Sequence, residues 1–67
     1  MSFAAARKKA GLNQVDAAKA LGVTQGAISM WENGRTKPRS AQIVEIAKLY
    51  GVTVDELLRE DEKNAES

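Results

Sequence analysis

Four glycines divide this chain into pieces too short for anything but a set of small helices. Gly11, Gly22, Gly34 and Gly51 each follow a stretch whose apolar residues recur at helical spacing. A glycine at such a place can take the left-handed conformation that ends a helix without a Cβ penalty. Five helices are predicted. The first runs from about Ser2 to Ala10, with Phe3, Ala6 and Ala10 on one stripe. The second is capped by Asn13 and ends at Leu21, with Ala17, Ala18 and Leu21 facing inward and Asp16 at the position of a capping-box acid. Thr24 caps the third, which runs to about Asn33 and is anchored by Ile28 and Trp31, three residues apart. The polar, proline-broken stretch Arg35 to Arg39 reads as a loop. Ser40 is expected to cap a fourth helix reaching Tyr50, with Ile43, Ile46, Ala47 and Tyr50 as its stripe. Thr53 and Glu56 make a T-x-x-E capping box for a last short helix carrying Leu57 and Leu58.

The fold class expected is therefore all-α. Residues 1–59 form the domain, and residues 60–67, charged and small, form a tail or linker. A chain of 67 residues has room for one core only, because a domain of that size buries about 60% of the surface its unfolded form exposes. With three aromatic residues and no cysteine, that core must come from aliphatic side chains packed closely, without disulfides or a thiolate metal site. The composition suits a reducing cytosol, and a cytoplasmic location is expected. No apolar run approaches the roughly 18 residues of a membrane span.

The net charge of +1 conceals an asymmetry. Residues 1–40 carry seven basic and two acidic side chains, and residues 41–67 carry three basic and seven acidic ones. A basic first part beside an acidic remainder is either a polyanion footprint or an unevenly charged solvated surface.

Catalysis is not expected. The chain has no histidine, no cysteine, no phosphate-binding glycine loop and no clustered carboxylates outside the acidic tail. No cofactor, metal or small-molecule substrate is expected either.

The strongest local signal is the connection between the second and third helices, which consists only of Gly22, Val23 and Thr24. A glycine-containing turn of three or four residues sets two helices at a steep angle, so the second projects its outer face. A helix held that way fits the major groove of DNA, about 12 Å wide, with its first residues at the base edges.

The chain resembles the lambda-type repressor and Cro family of helix-turn-helix domains, also called the Xre family, over roughly Phe3 to Leu58. The resemblance rests on an ordered set of motifs: Gly11-Leu12-Asn13-Gln14, Ala18-Lys19-Ala20-Leu21-Gly22-Val23-Thr24-Gln25, Ile28-Ser29-Met30-Trp31-Glu32-Asn33-Gly34, Lys37-Pro38, and Ala47-Lys48-Leu49-Tyr50-Gly51-Val52. It implies double-stranded DNA as the partner and a sequence-specific transcriptional regulator, a repressor acting on a two-fold symmetric operator. It also implies a homodimer, at least on DNA, with half-sites about one helical turn apart. The candidate pairing surface is Val52, Val54, Leu57 and Leu58 with the preceding helix end, and the core also claims most of those side chains.

Residue by residue, the resemblance implies that Gln25, Gly26, Ser29 and Met30 face the bases. It implies phosphate contacts at Asn13, Gln14, Asn33, Arg35, Lys37 and Arg39, with Gln14 also bracing Gln25. A glutamine amide can match adenine N6 and N7 with one acceptor and one donor; the alternative for Gln25 is an ordinary first-turn residue in water. Gly26 is either tolerated or leaves room for close approach to a base or a thymine methyl. Ser29 and Met30 are either contacts or simply exposed. Larger polar groups stand at the glycine and methionine positions in similar repressors, which leaves the base code open. The basic loop supplies affinity rather than sequence reading if it meets the backbone, and is otherwise a solvated basic loop. Arg7 and Glu32 resemble the family's structural ion pair, and Trp31 reads as core rather than a stacking platform.

A rival role uses the same fold: an antitoxin or protein-interaction module. The exposed face of the third helix discriminates, with Gln25 and the basic loop favouring DNA and Met30 leaning towards a protein partner. RNA binding is a weaker rival, since no exposed aromatics suit stacking on unpaired bases.

Overall fold

A computed structural model describes residues 1–59 of the chain; the expected tail at residues 60–67 lies outside the described residues. Five α-helices are present and no strand occurs among the described residues: α1 (Phe3–Lys9), α2 (Gln14–Leu21), α3 (Gln25–Asn33), α4 (Ser40–Tyr50) and α5 (Val54–Leu58). The all-α, five-helix expectation holds. Four of the helix starts are capped by a side-chain oxygen: Ser2, Asn13, Thr24 and Thr53 accept the backbone N–H three residues on, at 3.0, 2.7, 3.1 and 3.0 Å. These caps satisfy donors that the first turn of a helix leaves without partners. At Thr53 the expected box is complete, because Glu56 Oε1 accepts the Thr53 N–H at 3.0 Å. At Asn13 only half of a box forms, and Asp16 makes no return bond to the Asn13 backbone.

The α2–α3 turn is closed from both sides. Gly22 sits at φ +72°, where a β-carbon would be strained. The Val23 N–H then reaches back to the Ala18 carbonyl at 3.0 Å, tying off α2 one residue before Thr24 opens α3.

Two local expectations are corrected. Ser40 is not the cap of α4 but its first helical residue; Arg39 occupies the N-cap. Arginine has no acceptor, so the capping geometry is supplied in reverse by Gln42, whose Oε1 accepts the Arg39 N–H at 2.8 Å. Ala10 is exposed rather than inward: as the C-cap of α1 it still bonds the Ala6 carbonyl at 3.0 Å, but the core that buries Ala6 does not cover it.

The core consists of Ala6, Ala17, Ala18, Ile28, Trp31, Ile46, Ala47, Tyr50 and Leu57, with Phe3, Leu12, Leu21, Val23, Ile43, Leu49, Val52 and Val54 packed around it. Alanines at the centre of α1, α2 and α4 let short helices approach closely, and Ile28 and Ile46 fill the space between them. Ile28 and Trp31 turn the inner side of α3 into this core, which leaves its opposite side to solvent. Of the last pair of leucines, Leu57 is buried and Leu58 is 53% exposed.

Candidate nucleic-acid interface

The outer side of α3 begins with Gln25 and Gly26, both exposed, and continues to half-buried Ser29 and exposed Met30. All four residues named from the sequence thus reach the surface of one helix, although Ser29 is partly covered. Gly26 has ordinary helical backbone, and a β-carbon built on it would meet nothing nearer than Thr24 Oγ1 at 3.8 Å. Nothing inside the domain requires a glycine there. Asn33, one turn beyond Ser29, donates to the Ser29 hydroxyl at 3.4 Å while staying exposed.

Asn13 and Gln14 stand at the start of α2. The Asn13 carbonyl oxygen is committed to the α2 cap, so its amide group is what remains for an anion. Arg35, Lys37 and Arg39 are exposed on the segment that leaves α3, and no carboxylate pairs with any of them among the described residues. Pro38, between them, is buried and anchors the segment to the domain.

Beneath this surface lies a chain of hydrogen bonds. Arg7 on α1 grips Glu32 near the end of α3 in a two-pronged pair, Nε to Oε2 at 2.6 Å and Nη2 to Oε1 at 3.3 Å. Both side chains are more than nine-tenths buried. The third Arg7 nitrogen donates to the Leu12 carbonyl at 2.9 Å, tying the α1–α2 connection to the pair. Gln14 Nε2 donates to Glu32 Oε1 at 2.9 Å, and Gln25 Nε2 donates to Gln14 Oε1 at 3.3 Å. Burial alone would raise the Glu32 pKa, but the Arg7 and Gln14 hydrogen bonds and the charges of Arg7 and Lys8 outweigh it and hold the carboxyl below its ordinary range. The Glu32 bond in turn lifts the Arg7 pKa against the opposing effect of burial.

The structure brings together Arg7 with Glu32 and Gln14 with Gln25, two pairs that the sequence suggested separately. What sequence reasoning missed is the bond joining them. Gln14 and Glu32 are 18 residues apart, on different helices, and no local spacing marks the contact.

These features define a helix-turn-helix domain whose third helix is braced by side-chain hydrogen bonds from the first two. A Helix-turn-helix family profile matches residues 3–57, and the chain belongs to this lambda repressor/Xre-type family of DNA-binding transcription regulators. It is similar to the HTH-type transcriptional activator BcrR of Enterococcus faecalis, 41% identical over 51 residues that cover 76% of this chain and 25% of that protein. It is also similar to the cryptic phage CTXphi transcriptional repressor RstR of Vibrio cholerae, 33% identical over 58 residues that cover 87% of this chain and 52% of that one. The chain thus spans a quarter of one of these curated relatives and about half of the other. No solved structure matches it significantly. Both relatives are named as transcription regulators, one an activator and one a repressor. No helix among the described residues is long and apolar enough to cross a membrane.

Proposed function

We propose that this domain binds duplex DNA by sequence and regulates transcription in the cytoplasm as a repressor, covering a two-fold symmetric operator as a homodimer. The observation that carries the reading is the outer side of α3: Gln25 is exposed at its start with its amide braced by Gln14, and beyond its other end runs a segment whose basic side chains pair with no carboxylate among the described residues. Gln25 supplies the donor and acceptor needed for a base edge, with Gly26, Ser29 and Met30 forming the rest of the approaching surface. Asn13, Gln14, Asn33, Arg35, Lys37 and Arg39 flank it at positions suited to phosphate oxygens, which set register and affinity without reading sequence. Leu58, more than half exposed on α5, and half-buried Val52 and Val54 are the surface available for a second copy.

Selection from a random duplex pool tests this directly. A two-fold symmetric site whose affinity falls steeply as salt is raised supports the reading. A pool that yields no preferred sequence overturns it in favour of a protein partner on the same face.

A further inference from the structure

The hydrogen-bond chain has a direction, and the direction follows from chemistry rather than from how an amide is drawn. An ionised carboxylate only accepts. The Gln14 group that meets Glu32 Oε1 at 2.9 Å must therefore be the NH₂, which turns Gln14 Oε1 towards Gln25. That oxygen also only accepts, so Gln25 must offer an N–H to it. Arg7 keeps Glu32 charged and fixed, holding both carboxylate oxygens. The buried ion pair thus determines, through Gln14, which way round the exposed Gln25 amide is presented.

We infer that Arg7 and Glu32 are positioning residues for base selection: through Gln14 they spend one of the two Gln25 N–H groups, leaving one donor and the Oε1 acceptor. This rests on the DNA reading proposed above. The remaining pair matches adenine, which shows an N7 acceptor beside an N6 donor. It does not match guanine, whose N7 and O6 are both acceptors and call for two donors. An unbraced glutamine has two N–H groups and can turn either way, so it tolerates both purines. The lock therefore converts a permissive side chain into an adenine reader.

The base pair under Gln25 is identified as the position where Gln25→Ala loses selectivity. Binding is then measured to duplexes carrying adenine or guanine there. The wild-type protein is expected to prefer adenine by about tenfold or more. Glu32→Gln makes the side chain at position 32 able to donate or accept, which releases Gln14, and the preference shrinks to within about threefold. Gln14→Leu breaks the same chain while leaving the Arg7–Glu32 pair in place, and it shows the same loss even if Glu32→Gln folds poorly. The swap Gln14→Glu with Glu32→Gln restores an acceptor facing Gln25, and the adenine preference returns although overall affinity falls beside the phosphates. A merely structural Glu32 would weaken all duplexes alike, with no recovery in the swap. Unchanged adenine preference in folded Glu32→Gln and in Gln14→Leu overturns the lock while leaving DNA recognition standing. Failure of the wild-type protein to select any duplex overturns the DNA reading and the lock with it.

Discussion

Replacing Gly26 with alanine separates what the fold needs from what the proposed partner needs. Gly26 is the second residue of α3 and has no positive φ, so alanine introduces no backbone strain. Its β-carbon would meet only the Thr24 hydroxyl at 3.8 Å, an ordinary contact. What remains is helix propensity, which favours alanine over glycine by up to about 1 kcal/mol in a helix interior and by less in the first turn. A gain of about 0.5 kcal/mol corresponds to a rise in Tm of about 2 to 4 °C for a domain of this size. The fold offers no use for the missing side chain, so the gap belongs to the DNA side of the proposed interface. Gly26→Ala is then expected to melt higher and to bind the selected duplex less tightly. Thermal melting by circular dichroism together with a binding titration reads both. A lower Tm would refute the inference that the space is open, and a higher Tm with unchanged binding would refute close approach at this residue.

Glu32→Ala should lower stability by about 3 kcal/mol, because it leaves the Arg7 guanidinium buried without its partner; chemical denaturation checks this, and a loss under 1 kcal/mol would contradict it. Acid should destabilise the domain. The folded pKa values of Glu32 and Glu56 both lie below the ordinary glutamate value near 4.5, so the stability they contribute is present above that value and is lost as pH falls through the folded-state values. Melting temperature should therefore be flat from neutrality down to about pH 5 and fall below it, and Glu32→Gln should flatten the acid limb. Lys37→Ala should weaken binding to all duplexes about equally and reduce the slope of log affinity against log salt by about 1, as read by titration at several salt concentrations.

Much of this architecture was legible because its signals are local. Each glycine that ends a helix and each of Asn13, Thr24 and Thr53 acts within a few residues of itself, and Ile28 and Trp31 mark the inner side of α3 by their spacing alone. Errors came where a neighbour competed for the same role. Ser40 has the better capping chemistry, but the helix begins one residue earlier because Gln42 reaches back to the Arg39 N–H. Ala10 continues the apolar stripe of α1 in the sequence, yet it stands at the C-cap beyond the reach of the core and is exposed. The site was legible as a list of residues and not as a network. Only the packing of α1 and α2 against α3 brings Gln14 to Glu32, and that contact joins side chains that otherwise read as serving separate purposes.

The central claim is that the outer start of α3 reads bases and that Gln25 is the reader. The most direct test is to measure wild-type protein and Gln25→Ala against a panel of duplexes that differ from the selected site by one base pair at a time. Gln25→Ala is expected to lose discrimination at one base pair in each half-site and to keep it at the others. A uniform loss of affinity at every position, or a panel profile identical to that of the wild-type protein, would contradict it.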